Sequence, residues 1–268
     1  MTAPPAEPGP GDRVGRQPRR ARVMANWLWM HLFGQGLVRT PGDFGTRGDP
    51  PSHPELIDWL ASDLVASGWS VKATLRQVVL SATYRQSSDD NPAALAADPE
   101  NTLVWRMTRK RLELEPLRDA MLAAAGALDR AMGGPGVEIT RAPFPARRSV
   151  YAFIERQNLP GVFRTFDLAS PDSSTPKRHA TTVPQQSLYL MNSPFVQEQA
   201  RALAARTEGG GDEARIDRLH RLVYGRPAAP EEVALGVAFV RGPASGKLAA
   251  WEQYAQVLLL ANEFAFVD

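Results

Sequence analysis

The loop at residues 34–51 constrains the fold more than any other part of the sequence, because it separates two apolar segments with five glycines and three prolines. Proline removes a backbone donor and glycine is costly inside a helix, so no regular element continues through this loop. The apolar segment 23–33 is therefore predicted to be a short helix ending at Gly34. A second helix is predicted to start at a Ser52/Glu55 capping box and to end at Gly68.

Proline and glycine divide the rest of the chain in the same way. Apolar residues at helical spacing predict further helices, at residues 70–82, 113–132, 184–191, 194–206, 212–224, 230–241 and 247–262. Residues 149–155 are rich in β-favouring side chains and form the clearest strand candidate. The sequence therefore predicts a mainly α, multi-helix domain with a small β element near residues 149–155 and long ordered loops.

The charge is distributed unevenly along the chain. Residues 1–22 hold five arginines and two carboxylates, so the remainder carries a net charge of −1, although the whole chain carries +2. Residues 1–21 are predicted to be a disordered tail rich in proline and arginine. Residues 22–268 are predicted to be a single domain, with a candidate sub-boundary near 207–212. The neutral body gives no electrostatic footprint for nucleic acid, and no segment approaches the ~18 apolar residues of a membrane span.

The residue types present restrict the chemistry. The chain has no cysteine, which excludes disulfides, thiolate zinc sites, thiol nucleophiles and c-type haem attachment within it. The sequence shows no secretory signal, nucleophile elbow, P-loop or dinucleotide fingerprint. No catalytic residue is identified, and whether the chain catalyses a reaction stays open.

One candidate site lies in the first long loop. His31, Asp43 and His53, with Asp49 and Glu55 nearby, are residue types that bind Zn²⁺ or another divalent cation. The alternative is mechanical, because such residues commonly cap helices and stabilise turns through local hydrogen bonds. The mechanical interpretation is favoured, since no compact metal-binding motif is present.

A second candidate site lies in residues 166–186. Asp167, Arg178 and His179 are predicted to bind a ligand, in a groove shared with the loop around residues 31–53. The alternative is that this loop is structural, with Thr181 or Thr182 capping the helix that starts near Pro184. Aromatic side chains, including the tryptophans, either stack on a carbohydrate ligand or belong to the core.

Several long segments together resemble one known family. They are "ANWLWMHLFGQGLVRTPGDFG", "GDPPSHPELIDWLASDLVASGWSVKATLRQVVLSATYRQSS", "RMTRKRLELEPLRDAML", "RRSVYAFIERQ", "FDLASPDSS", "TTVPQQSLYLMNSPFVQEQARALA", "RLHRLVYGRPAAPEEVALGVAFV" and "WEQYAQVLLLANEFAFVD". The chain resembles the domain of unknown function 1553 family, the planctomycete-type PSD1 domain, over residues 22–268.

The resemblance implies the kind of protein in which this domain occurs, but it does not imply a particular reaction. The resemblance implies that the usual family members are longer bacterial surface or exported proteins. In them this domain follows an export signal, often a cytochrome c-like segment with C-x-x-C-H, and a second domain of unknown function. This chain shows none of these, so the resemblance implies a fragment of a longer or split gene, or a start assigned too late. The localisation is unknown from the chain itself.

Two functional hypotheses follow. The first is a binding or scaffold module of an envelope-associated or exported bacterial protein, which holds a companion domain or a carbohydrate-like ligand. The second is a metal-dependent or hydrolase-like enzyme with its site between the loops at 31–55 and 166–186. The first is preferred because no catalytic signature is present.

Overall fold

A computed structural model describes residues 18–243 and 246–267 of the chain. Its helices are α1 (Pro18–Phe33), α2 (Pro54–Ala66), α3 (Val71–Val79), α4 (Pro92–Ala97), α5 (Leu114–Ala124), α6 (Gly161–Thr165), α7 (Pro184–Asn192), α8 (Pro194–Arg206), α9 (Asp212–Tyr224), α10 (Pro230–Arg241), α11 (Ala250–Leu260) and α12 (Asn262–Ala265). The strands β1 (Lys110–Arg111) and β2 (Phe266–Val267) form a two-stranded sheet. The predicted class, mainly α with a small β element, is confirmed.

The start of α1 differs from the prediction. The helix begins at Pro18, five residues before the predicted start, and the Ala21 side chain is fully buried. Residues 18–21 of the predicted disordered tail are therefore helical. The rest of that predicted tail, residues 1–17, lies outside the described residues.

The chain divides into two compact units, one ending at Lys110 and one spanning Arg111–Val267. We call them the first unit and the second unit. Leu203 and Ile216 lie on either side of the candidate sub-boundary at 207–212, and both belong to the same core cluster of the second unit. The single domain over 22–268 stays a prediction.

The core of the first unit is built mainly from α1, α2 and the loop between them. Ala25, Trp29 and Phe33 recur every four residues and form one face of α1. The Trp29 and Phe33 rings stack with their centroids 4.1 Å apart. Leu37 and Val38 of the loop are also buried in this cluster. The loop therefore contributes to the core as a helix would.

A buried amide holds the loop in place. Asn26 of α1 is fully buried, its Nδ2 donates to the Val38 carbonyl at 3.1 Å, and its Oδ1 accepts from the Val38 N–H at 2.8 Å. A Cβ at Gly36 would lie 2.7 Å from both the Oδ1 and the Nδ2 of Asn26. Residue 36 is therefore restricted to glycine by the close approach of the loop to this amide.

The core of the second unit is formed mainly by α5, α8 and α11, with Leu117, Leu203 and Leu259 fully or almost fully buried. Helix α5 is shorter than predicted, because the chain turns at Gly126, which has a φ of +76°.

Residues near the predicted β element form little β structure. Ser149–Tyr151 is a single 3₁₀ turn, and the pairing there is one bridge between Val137 and Ala152. The buried guanidinium of Arg118 donates to the Pro145 carbonyl at 2.5 Å. This bond anchors the backbone just before the Ser149–Tyr151 turn.

Candidate functional site

The three residues predicted to bind a metal lie in the first unit, and each has a local setting. His31 is exposed in the last turn of α1, where its carbonyl and that of Leu32 accept from Lys110 Nζ at 2.6 and 2.7 Å. Burial lowers the pKa of Lys110. Lys110 therefore caps the end of α1, and the His31 backbone takes part in that cap.

Asp43 and His53 make only short-range contacts through their side chains. Asp43 Oδ1 accepts from the Gly45 N–H at 2.8 Å, which is an Asx turn. His53 Nδ1 lies 3.0 Å from the Ser52 hydroxyl. Within 18–243 and 246–267, no three His, Asp or Glu side chains are grouped closely enough to hold a metal ion. The structure thus does not bring His31, Asp43 and His53 together as one ligand set.

The Ser52/Glu55 capping box was predicted wrongly. The N-cap of α2 is His53, which makes no side-chain capping bond. Ser52 is used elsewhere, since its N–H and its hydroxyl both donate to the Leu37 carbonyl, at 2.8 and 3.2 Å. These two bonds join the C-terminal end of the 34–51 loop to Leu37, near its beginning.

The second predicted set lies in the second unit and is bound to the start of α5. Arg178 donates to both carboxylate oxygens of Glu115, at 2.9 and 3.0 Å, and to Glu113 at 2.6 Å. These bonds, those to Glu115 first, raise the pKa of Arg178. Both terminal guanidinium nitrogens donate to carboxylates of the protein itself, so Arg178 clamps this loop to the start of α5.

Asp167 and His179 have different surroundings. Asp167 has a φ of +57°, and its Oδ2 accepts from both the N–H and the hydroxyl of Thr181 at 2.8 Å. Thr181 therefore does not cap α7, whose N-cap is Val183 without a side-chain capping bond. Thr182 makes no such bond to α7 either. His179 is exposed in the same loop.

A polar cluster around the buried His220 lies in the second unit, and sequence reasoning did not predict it. His220 is 2% exposed, and its Nε2 lies 3.1 Å from the Tyr254 hydroxyl. Arg226 donates in pairs to the carboxylates of Glu232, at 2.7 and 2.8 Å, and Glu263, at 2.6 and 2.7 Å. Arg226 thereby holds the turn between α9 and α10 against α12.

The electrostatics of this cluster favour a neutral histidine beside a charged pair. Burial lowers the pKa of His220, although Glu232 Oε2 lies 3.5 Å from its Nδ1 and opposes the shift. The paired bonds from Arg226 lower the pKa of Glu232 to about 2. Burial raises the pKa of Tyr254 to about 12. Within this cluster only His220 is deeply buried, since the Arg226, Glu232 and Glu263 side chains are 38%, 32% and 44% exposed. The paired bonds of Arg226 therefore stabilise the fold beside a buried histidine whose Nδ1 has no hydrogen-bond partner among the described residues.

A concave, apolar surface lies in the first unit, between α1 and the turn that leads into α3. It has a volume of about 400 Å³, within the range of small-ligand pockets. The lining residues, which we call the tryptophan groove, are Arg19, Arg20, Val23, Met24, Trp27, Trp69 and Val71. Trp27 and Trp69 are 41% and 43% exposed. These indole rings are available to a ligand, unlike the buried Trp29.

The backbone places Trp69 at the groove through an unusual turn. The Gly68 N–H donates to the Val65 carbonyl at 3.0 Å and the Trp69 N–H to the Leu64 carbonyl at 2.8 Å, which is a Schellman motif. Gly68 and Trp69 have φ values of +68° and +62°. A left-handed conformation costs a non-glycine residue about 1–2 kcal/mol. Such strained residues concentrate at functional sites.

The polar groups of the groove define what it can bind. Its only charged lining groups among the described residues are the guanidinium groups of Arg19 and Arg20, and it has no carboxylate or amide side chain. Trp27 Nε1 donates to the Pro41 carbonyl at 3.3 Å. The groove therefore offers flat apolar surfaces with positive charge at one end. Sequence reasoning missed it because Trp27 lies in a helix with many core residues.

One comparison with known proteins gives a match. A family model described as "PSD1: Protein of unknown function (DUF1553)" matches residues 14–240. The match spans the first unit and continues through most of α10, so α11 and α12 lie beyond it. No curated protein and no solved structure matches the chain.

Proposed function

This chain belongs to the PSD1 family of proteins of unknown function (DUF1553), and from that premise we propose that it is a binding module that holds an extended partner segment in the tryptophan groove. The observation that carries the proposal is the pair of half-exposed indoles, Trp27 and Trp69, across a concave surface of about 400 Å³. Exposed aromatic residues in concave sites are typical of ligand recognition.

The lining favours a peptide over a sugar. Carbohydrates present many hydroxyl groups, and the buried polar groups of a ligand need hydrogen-bond partners in the site. The described lining supplies apolar side chains and two arginines. An extended segment containing proline fits this chemistry, because such segments dock in aromatic-lined grooves. An acidic residue in the segment would pair with Arg19 or Arg20.

The setting of the module rests on the family resemblance. We place it as an accessory domain of an envelope-associated or exported bacterial protein, and the partner segment in a companion domain, for which a cytochrome c-like domain is one candidate. No helix within 18–243 and 246–267 has the length and apolar character needed to cross a membrane. The alternative of a metal-dependent or hydrolase-like enzyme has no assembled metal-ligand group among those residues to support it.

The test is a binding titration against a defined ligand panel. Fluorescein-labelled decapeptides containing proline and glutamate, decapeptides of the same charge without proline, and a hexasaccharide of N-acetylglucosamine would be titrated with the purified full chain. Fluorescence anisotropy is expected to rise with the first class alone. A response to the hexasaccharide alone would contradict the peptide proposal in favour of the carbohydrate ligand.

Tryptophan variants test whether the ligand binds in the groove. Trp27→Ala and Trp69→Gly are each expected to weaken binding about tenfold or more, because a stacked aromatic contributes roughly 1–3 kcal/mol to an interface hot spot. Trp59→Ala is the matched control, since Trp59 is 51% exposed on α2 and does not line the groove. Equal losses in all three variants would show that the groove is not the site.

A further inference from the structure

We propose that the exposed face of α10 is a self-association surface, through which two copies of this chain pair their α10 helices antiparallel across a two-fold axis. This surface lies in the second unit, and none of its residues lines the tryptophan groove of the first unit. The inference therefore goes beyond the proposed function, and each of the two can be tested without the other.

The exposed face of α10 carries no polar side chain over two helical turns. Residues 233–240, "VALGVAFV", contain apolar residues only. Val233, Val237 and Val240 pack against the core of the second unit, so one side of the helix is covered by the fold. The opposite side is open to solvent and consists of Ala234, Leu235, Ala238 and Phe239. The exposed fractions of its two large residues are 72% for Leu235 and 42% for Phe239.

Such a face is unusual for the solvent side of a surface helix, which normally carries charged and polar residues. Single exposed apolar residues need no explanation, but contiguous apolar patches mark sites of interaction. The patch on α10 is contiguous, because residues three and four positions apart are neighbours on a helix surface. The patch therefore indicates a surface that a further helix or chain covers.

The charged residues at the two ends of the patch identify its occupant. On the exposed side of α10, Glu231 precedes the apolar patch and Arg241 follows it. Arg241 Nε donates to Asp212 Oδ2 at 2.9 Å, but the arginine side chain is 70% exposed, so its terminal nitrogens stay available to a second carboxylate. With a negative charge at one end and a positive charge at the other, the patch is complementary to a reversed copy of itself.

The spacing of these residues fixes the register of the pair. Across a two-fold axis the same surface meets itself, so residues equally far from the midpoint of an antiparallel pair face one another. Glu231 and Arg241 each lie five positions from Gly236, and each therefore faces the opposite charge of the second copy. Ala234 and Ala238 each lie two positions from Gly236. The smallest side chains of the patch thus meet at the crossing and allow the helices to approach closely.

The dimensions of the surface predict a weak dimer. Helix α10 has 12 residues and is therefore about 18 Å long. One helix pair of this length covers less than the ~800 Å² per partner of a standard interface. We therefore expect a concentration-dependent equilibrium between monomer and dimer, with a dissociation constant on the order of 100 µM.

Sedimentation equilibrium of the purified full chain, at concentrations from about 10 to 500 µM, brackets that dissociation constant. The wild type is expected to dimerise. Leu235→Arg places a charge in the patch and in its copy, and should weaken self-association at least tenfold. Leu188→Arg is the matched control, because Leu188 is 56% exposed on α7 and lies outside the patch. Melting curves by circular dichroism check that both variants remain folded.

Charge reversal tests the antiparallel register. Glu231→Arg and Arg241→Glu each place like charges opposite one another in a homodimer, so each should weaken self-association roughly three- to tenfold. In an equimolar mixture of these two variants every contact again joins opposite charges. The mixture should therefore dimerise about as tightly as the wild type. In a parallel pair Glu231 would face its own copy already, and neither single variant would weaken the dimer.

Several results would contradict the proposal. A wild type that stays monomeric over the whole concentration range would overturn it and assign the apolar face to a different partner. A dimer that Leu235→Arg leaves intact, or that Leu188→Arg weakens equally, would place the contact elsewhere on the chain. Charge variants that associate as tightly as the wild type would rule out the antiparallel register. None of these results bears on ligand binding in the tryptophan groove.

Discussion

Asn26 hydrogen-bonds with both backbone groups of Val38, a residue twelve positions along the chain. One side-chain amide thus satisfies a donor and an acceptor that a helix or sheet would otherwise satisfy. Both residues are buried, and unpaired backbone groups in such a position are destabilising. The glycine- and proline-rich loop is rigid because a helix supplies its hydrogen-bond partners.

Replacing Asn26 should therefore destabilise the first unit strongly. Asn26→Leu leaves the buried N–H and carbonyl of Val38 without partners, and we expect a loss of about 2–4 kcal/mol in the free energy of unfolding. Urea denaturation followed by circular dichroism measures it. His31→Ala, an exposed change in the same helix, should stay within about 0.5 kcal/mol of the wild type. A similar small effect of Asn26→Leu would contradict the assigned role.

Gly236→Ala is expected to destabilise the chain even though Gly236 lies within α10. In an exposed helix the change gains up to about 1 kcal/mol. Here the new Cβ would lie 2.7 Å from the Tyr254 hydroxyl and 2.8 Å from Ile216 Cδ1, so we expect a loss of about 1–3 kcal/mol. Thermal denaturation measures it. In a Tyr254→Phe background the loss should be smaller, because the closest contact, with the hydroxyl, is gone, while Ile216 Cδ1 and the ring carbon Cζ at 3.0 Å remain. An unchanged loss there would assign the effect to these two remaining contacts.

Stability should fall with acid in two steps that belong to different residues. Burial lowers the pKa of His220 from its ordinary value of 6.5, so the unfolded chain binds that proton more readily and stability decreases below about pH 6.5. The Arg226 bonds lower the pKa of Glu232 from 4.5 to about 2. The stabilisation from Glu232 is therefore lost as the pH falls from about 4.5 towards 2.

Melting temperatures between pH 8 and pH 2.5 separate the two steps. His220→Gln keeps a polar side chain beside Tyr254 and should remove only the upper step. Arg226→Lys removes the paired bonds and should reduce the lower one. If wild type and His220→Gln lose stability in parallel between pH 7 and pH 5, the neutral buried histidine is not the cause.

Arg178→Lys should loosen the loop at residues 166–182 while keeping its charge. Lysine cannot reproduce the two parallel bonds to Glu115, so we expect a loss of roughly 0.5–1.5 kcal/mol and faster hydrogen exchange of the loop amides, measured by mass spectrometry. Arg156→Lys is the control, because Arg156 pairs with Asp172 of the same loop but is 69% exposed. Equal effects of both changes would argue against a specific clamp.

Local signals predicted much of the helical pattern. Gly68 and Gly225 end helices as expected, Ser70 caps α3, and Ser193 with Pro194 separates α7 from α8. Each of these signals acts within a few residues. The sequence therefore contains the information without reference to the rest of the fold.

Two wrong or unrealised predictions of helix caps share one cause, which is competition from a distant partner. Ser52 and Thr181 have the sequence setting of caps, but they bond to the Leu37 carbonyl and the Asp167 carboxylate instead. Neither partner can be recognised from local spacing. The same limit hid the tryptophan groove, because Trp27 is exposed two positions before the buried Trp29 and sequence spacing does not show which face of α1 is covered.

The left-handed backbone of Trp69 lowers the stability of the fold, but it also positions the indole that lines the tryptophan groove. Glycine or asparagine would adopt the same turn with less strain, so a laboratory evolution experiment that rewards heat tolerance alone should replace this tryptophan early. The resulting protein would be more stable to heat, but its groove would lack one of the two exposed indoles. Engineering that aims at a robust version of this domain should therefore fix position 69 and seek its stabilising changes elsewhere.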